Sequence, residues 1–380
     1  MIIEKIELIP ASKYLFVKVT TDSGIEGIGE MGAWGYLDAC AGALEKLKDY
    51  LIGKDPHQIE HHWNYMYRSM YFRGSVILSA ISAIDIALWD ILGKSLGVPV
   101  YQLLGGKTRN KVRTYAPVFE SDPEKMAQGC LALKAQGFTA ARLMICGTMR
   151  TNQMTREEDI FNVKIADYVN RVRVCREAVG DDFDLCLEVH RSMTPAQAVA
   201  FARGVEPYRP LFLEDPIAPD SLESMVDVSR RISIPVATGE RAVSLQEMES
   251  ICQQKAANFV RPDVCVVGGI SAAKKIAAIA EANYIQIAPH NPLGPVSTAA
   301  CLQLDACIPN FLIQEFPSYY HAGAEDGMTK TPLKVEEGYI YIPDAPGIGI
   351  ELVDDITEKY PPAQRSLSVM NAFDGSVHDR

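Results

Sequence analysis

Short apolar runs in the second half of the chain each close on an acidic residue or a histidine. These ends recur about one strand–helix unit apart. They are Glu188 with His190 in LCLEVH, Glu214 in PLFLEDP, Glu240 in PVATGER, Asp263 in NFVRPDV, His290 in IQIAPHN and Glu315 in FLIQEF. A strand, its crossover helix and the next parallel strand take roughly 30 residues. In a closed parallel barrel the polar groups at the C-terminal ends of successive strands converge on one mouth. The spacing therefore predicts a barrel whose mouth carries a ring of carboxylates and histidines.

The strand-like segments are 112–118, 139–144, 185–190, 211–215, 235–240, 258–263, 285–290 and 311–315. Helical spacing fills the gaps, at 122–136, 160–179, 194–207, 220–231, 243–254, 270–282 and 294–306. This alternation predicts a parallel sheet covered by helices. Eight strands suit a closed barrel better than a doubly wound sheet, and no GxGxxG motif follows the first strand.

The first hundred residues read differently. Segments 1–9, 14–21 and the SGIEGIGE stretch pair as antiparallel strands, with helices expected over 38–52, 56–72 and 75–97. The Gly-rich LLGGKTR marks a boundary. The division expected is an α+β unit over 1–110, a barrel over 111–320 and a segment over 321–380 that returns to the first unit. The polar stretch 145–158 is a long loop at the mouth.

Glu188, Glu214 and Glu240 offer an all-oxygen site, which suits Mg²⁺. If 185–190 is one strand, Glu188 and His190 share a face and both look into the mouth. Asp263 and His290 end neighbouring strands, where a carboxylate would orient the imidazole as an acid/base pair. Arg261 has the parity of Asp263 and is expected inside, balancing the carboxylates. Glu315 closes the ring. Trp34, Tyr71 and Arg73 of the first unit, and Arg150 of the 145–158 loop, are candidates to touch a substrate. His57, His61 and His62 are expected on an exposed helix face.

The net charge of −11 argues against a nucleic-acid surface. No uninterrupted apolar run looks long enough to span a bilayer. The nine cysteines include no CxxC pair, which suggests reduced thiols in a cytoplasmic protein.

These residues carry a resemblance to the enolase superfamily, in its mandelate racemase-like branch. The run SAIDIALWDILGKSLGVPVYQLLGG resembles that branch's capping-domain signature, and ExH, EDP, GER, RPD, APHNPLGP and PNFLIQE resemble its barrel. Within the branch it looks most like the sugar-acid dehydratases acting on galactonate and gluconate. The resemblance implies a modified (β/α)₇β TIM-type barrel with an α+β capping domain. It implies Mg²⁺ on Glu188, Glu214 and Glu240, and His290 oriented by Asp263 as the base. His190 would be the acid for the leaving 3-hydroxyl, and Glu315 would contact the enediolate. It also implies a small sugar-acid substrate and a homo-oligomer. Two departures stand out. The branch commonly has Asp where this chain has Glu188. Its racemases carry Lys-x-Lys on the second strand, where this chain has Arg142 and Met144. A racemase or epimerase, or a metal-binding relative without turnover, remain the alternatives.

Overall fold

The computed structural model describes residues 1–69, 71–146, 155–317, 327–363 and 369–378. The chain opens with β1 (Ile3–Ala11), β2 (Tyr14–Thr21) and β3 (Glu26–Glu30), an antiparallel sheet in that order. Helices α1 (Leu37–Leu51), α2 (Ile59–Arg68) and α3 (Ser75–Leu96) follow, then the single-turn α4 (Val100–Leu103).

The small residues of α3 have a packing purpose. A Cβ on Gly29 would lie 1.8 Å from the Ala83 carbonyl oxygen, and one on Gly27 would lie 2.1 Å from that of Ala87. Strand β3 therefore rests directly on the α3 backbone, which only Gly opposite Ala allows. By length and mean hydropathy, 1.9, α3 could cross a membrane, contrary to the sequence expectation. It is instead a core helix, with 78% of that window buried inside the molecule.

The barrel runs β4 (Lys111–Val118), α5 (Pro123–Ala135), β5 (Ala140–Met144), α6 (Phe161–Val179), β6 (Asp184–Glu188), α7 (Pro195–Val205), β7 (Phe212–Glu214), α8 (Leu222–Arg231), β8 (Val236–Thr238), α9 (Leu245–Gln253), β9 (Phe259–Val260), α10 (Gly269–Ala282), β10 (Gln286–Ile287), α11 (Pro295–Cys307) and β11 (Gln314–Glu315). Neighbours from β4 to β10 pair in parallel, and β11 pairs with β4. A parallel bridge from Ile287 to Phe311 joins the last two strands and closes the ring. Seven crossover helices between eight strands make this the expected (β/α)₇β barrel. Several helices start where the sequence supplies a cap: Asp122 before Pro123, and capping boxes at Thr194/Gln197 and Ser244/Glu247.

The interior is a packed layer of Tyr115, Ala140, Cys186, Phe212, Ala237, Ala288 and Ile313. Two residues further along five of these strands come Arg142, Glu188, Glu214, Arg261 (beyond Phe259) and Glu315. The period of two puts them on the same inward face, one layer nearer the mouth. Apolar fill below and charge above is thus written into the strand alternation.

The first unit grips the barrel at the helix starts beside that mouth. Glu30, fully buried, accepts from the Gly294 and Ser297 amides at the start of α11, at 2.7 and 2.8 Å. From α3, the Ser82 hydroxyl accepts from the Gly268 and Gly269 amides, and Asp85 from Ser271 N, at the start of α10. The Gly32 amide donates to Cys265 O at 3.2 Å. After the barrel, β12 (Val335–Glu336) and β13 (Tyr339–Tyr341) form a hairpin, and β13 pairs antiparallel with β4. The GYIYIP strand therefore extends the barrel's first strand. The chain then reaches α3, where buried Asp90 accepts from the Ile28 and Ile348 amides and pairs with Lys94 at 2.7 Å.

Candidate active site at the barrel mouth

Glu188 and Glu214 are register partners on β6 and β7. Glu240 lies two residues past β8, after Gly239, whose φ of 131° turns the chain back toward the axis. Carboxylate oxygens of the three lie within 4.8 Å of one another. A cluster this close is costly without cations. Burial and the adjacent Glu214 push the Glu188 carboxyl well above its ordinary pKa.

Three guanidiniums answer part of that charge. Arg261 is fully buried. Its Nε lies 2.6 Å from Glu214 Oε1, off the line of a hydrogen bond. Its other nitrogens donate to Glu315 Oε2 at 2.7 Å and to the Tyr115 hydroxyl at 2.7 Å. It balances the carboxylate layer as its parity predicts. Arg142 stands 2.9 Å from Glu315 Oε1 and 3.7 and 3.8 Å from Glu188 and Glu214. Burial opposes its charge, but Glu315 and Glu214 outweigh that and raise its pKa further. An arginine so placed cannot serve as a base. Arg191 bridges Asp215, at 3.0 Å, and Glu240.

Glu315 is ionised. Burial alone would raise its pKa, but Arg142 and Arg261 hold it down at about 2. Its Oε2 also accepts from the Asn291 amide at 3.1 Å. Glu188, Glu214, Asp215, Glu240, Asp263 and Glu315 thus face Arg142, Arg191 and Arg261. The carboxylates outnumber the guanidiniums, and Glu214 Oε2 is buried with no hydrogen-bond partner. A hard divalent cation fits this donor set.

His290 sits three residues past β10 and Asp263 three past β9. The imidazole Nδ1 bonds Asp263 Oδ2 at 2.9 Å, and Nε2 lies 3.3 Å from Glu240 Oε2. Asp263 is pinned from its other oxygen by the Cys265 amide at 2.8 Å. Burial would lower the histidine's pKa, but Glu240 and Asp263 raise it to about 9. The arrangement is an oriented imidazole whose outer nitrogen faces the carboxylate cluster.

His190 reaches the site by a different route from the one its spacing suggested. Strand β6 stops at Glu188, and His190 and Arg191 have φ of 49° and 64°. The shared-face argument fails there because the two residues do not lie on one strand. A turn places His190 instead, with its amide donating to Glu188 Oε1 at 2.5 Å. The apolar alternation carried no signal for Arg191 or Asp215, which lie beyond the strand ends. EDP contains Asp215, but strand parity points it away from Glu214. A φ of 41° and the Thr238 hydroxyl, 2.6 Å from Asp215 Oδ1, fix it under the site.

The capping-unit candidates divide. Trp34 is partly exposed on the loop that Gly32 ties to Cys265, two residues from Asp263. Tyr71 is fully exposed, and Arg73 lies over the Tyr67 ring at 4.2 Å. Among the described residues no hydrogen bond or ion pair joins Tyr71 or Arg73 to the carboxylates. Arg150 lies outside the described residues. His62 corrects another expectation: it is buried, between the Tyr50 hydroxyl at 2.9 Å and Asp55 O at 2.7 Å. His57 and His61 are exposed.

Two family models cover most of this architecture. Residues 6–105 match the mandelate racemase / muconate lactonizing enzyme N-terminal domain, and residues 125–356 match the enolase C-terminal domain-like model. The chain belongs to the mandelate racemase / muconate lactonizing enzyme family of the enolase superfamily. Among its relatives in that family is D-galactonate dehydratase of Ralstonia pickettii, 37% identical over 374 residues and covered at 96% in both chains. The D-galactonate dehydratase of Pectobacterium atrosepticum is 35% identical, with 90% of each chain covered. A crystal structure of an enolase from Agrobacterium radiobacter, with bound Na and L-malate, superposes with a TM-score of 0.91 at 31% identity and full coverage of both chains. A superfamily member from Salmonella Typhimurium gives a TM-score of 0.88 at 30% identity, covering 94% of this chain and 98% of its own.

Proposed function

We propose that this enzyme is a Mg²⁺-dependent sugar-acid dehydratase, a hydro-lyase that converts an aldonate such as galactonate or gluconate into a 2-keto-3-deoxy acid. The observation that carries this reading is the His290–Asp263 pair with its Nε2 edge turned to the carboxylate cluster. Relatives named D-galactonate dehydratase along nearly the whole chain support the reaction class.

Glu188, Glu214 and Glu240 would hold the metal. When bound, Mg²⁺ supplies Lewis-acid stabilisation of the charge that builds on the substrate carboxylate. The protein does the rest. His290 Nε2 takes the proton from C2, with Asp263 holding the ring and stabilising its charge. The C2–H electron pair moves into the carboxylate as an enediolate. It returns to form C2=C3 as the C3–O bond breaks. The leaving oxygen departs as water with a proton from His190, and the enol takes a proton at C3. Glu315 would hydrogen-bond the enediolate once its carboxyl group has taken up a proton, and it holds the Arg142 cation beside it. Racemisation needs a base on each face, and the second-strand positions hold Arg142 and Met144, neither of which takes up a proton. That observation favours elimination. The nine cysteines are free and buried, which suits a reducing, cytoplasmic compartment.

A stereochemically complete aldonate and aldarate library, screened with Mg²⁺, tests this reading. The expected outcome is one dominant substrate giving a semicarbazone-reactive 2-keto acid, with EDTA or Glu214→Gln abolishing product. No product from any member, with Mg²⁺ demonstrably bound, would contradict it.

A further inference from the structure

We infer that Glu30 is a positioning residue for His290, one that reaches the base from the capping unit. The inference rests on the dehydratase reading only for what His290 then does. Glu30 closes β3 and is fully buried. Helix α11 follows the His290 loop. It has no side-chain cap from its own N-cap residue, Gly294, and no acidic residue in its first turn. Its first amides need acceptors all the same. Glu30 gives one oxygen to each of two of them, Oε1 to Gly294 N at 2.7 Å and Oε2 to Ser297 N at 2.8 Å. A Cβ on Gly294 would lie 2.8 Å from Glu30 Oε1, so the missing side chain leaves the room that this approach needs.

From Gly294 the contacts run back to the base through a short loop. The Thr298 hydroxyl donates to Gly294 O at 3.2 Å and accepts from Asn291 Nδ2 at 2.9 Å. Asn291 is buried beside His290, and its amide donates to Glu315. The His290 amide itself donates to Pro262 O at 3.2 Å. Gly294 stands only four residues after His290, so a shift of the helix start carries the imidazole with it. The other half of the acid/base pair is held from the same strand end. The Gly32 amide donates to Cys265 O, and the Cys265 amide pins Asp263. The Ser79 hydroxyl of α3 steadies that segment, accepting from Gly32 N and Ala33 N at 2.7 and 3.1 Å. Residues 30–33 thus tie the capping unit to both members of the pair. A misplacement of about 1 Å at a reacting group can cost 10²-fold in rate.

Glu30→Gln compared with Gln303→Met, both in the full chain with Mg²⁺, tests the assignment. Gln keeps the volume of Glu30 but offers an acceptor to only one of the two amides. Gln303 sits further along the same helix and also ties it to other segments, accepting from Tyr101 N at 2.9 Å and donating to Ile348 O at 3.0 Å. Both variants are expected to lower Tm. ¹H–¹³C spectra of enzyme labelled at histidine Cε1, without substrate, then read the ring itself. The His290 signal is identified by its loss in His290→Asn. Glu30→Gln is expected to move or broaden it, and Gln303→Met to leave it in place. With a turned-over aldonate in D₂O, Glu30→Gln should lower C2 exchange and dehydration together by about 10²-fold, with KM little changed. Glu30→Asp, which keeps both oxygens on a shorter stem, should restore part of the loss. If Glu30→Gln does not fold, Gly294→Ala is read in its place by the same criteria. Its φ of −88° suits Ala, and the added Cβ presses on Oε1 from the other side. A His290 signal that stays in place, or a kcat at the wild-type level, would assign Glu30 a purely structural role and overturn the inference. Wild-type enzyme inert on every sugar acid would count against the dehydratase reading, while the spectra still decide whether Glu30 sets the His290 ring.

Discussion

Replacing His290 with Asn is expected to lower kcat by about 10²–10⁴-fold, with KM little changed and the fold intact. Asn keeps a polar group near Asp263 but supplies no basic nitrogen. The argument rests on direction as well as chemistry. Nδ1 is spoken for by Asp263 at 2.9 Å, so only Nε2, on the side of Glu240, can take a proton from a substrate held at the cluster. Exchange of the C2 proton with solvent should be lost together with dehydration. His190→Asn should differ, since its role follows proton removal: dehydration falls while C2 exchange persists. Steady-state rates and ¹H NMR of recovered substrate separate the two. If His290→Asn kept C2 exchange at the wild-type rate, the base would have to lie elsewhere.

The second large effect concerns stability. Arg261→Met is expected to cost about 3–5 kcal/mol, measured by urea unfolding in EDTA. The side chain is entirely buried and serves Glu214, Glu315 and Tyr115 together. Methionine fills much of the volume but leaves two carboxylates buried without their partner, and that uncompensated charge carries the cost. Glu315 should also lose part of what holds its pKa near 2. Arg261→Lys should not rescue fully, because one ammonium cannot reproduce the fork that meets three partners. A loss under about 1 kcal/mol would show that Arg142 and solvent compensate the layer without Arg261.

These residues also mark what could be read from the chain alone. Inside a strand, the period of two needs no tertiary information. Glu214, Arg261 and Glu315 therefore stand one layer above Phe212, Phe259 and Ile313, as alternation requires. The reading weakens where the strand stops. Strands β8, β9 and β10 are two or three residues long and β6 stops at Glu188, so His190, Glu240, Asp263 and His290 all sit on the loops beyond them. Their convergence was legible from spacing. The turns that aim them, with left-handed φ at His190 and Asp215, were not. Arg191 escaped notice for the same reason, since its acidic partners, Asp215 and Glu240, lie past the ends of β7 and β8. His62 was misjudged on another ground. It lies in a polar helix, and only packing against Tyr50 and the Asp55 carbonyl decides that it is buried.

The measurement that bears most directly on proton abstraction followed by loss of water is ¹H NMR of D-galactonate or D-gluconate incubated with enzyme and Mg²⁺ in D₂O. The account predicts a 2-keto-3-deoxy acid carrying one solvent deuteron at C3. Deuterium at C2 of an epimer or of recovered aldonate, with no dehydrated product, would contradict it and place the chemistry with racemisation or epimerisation.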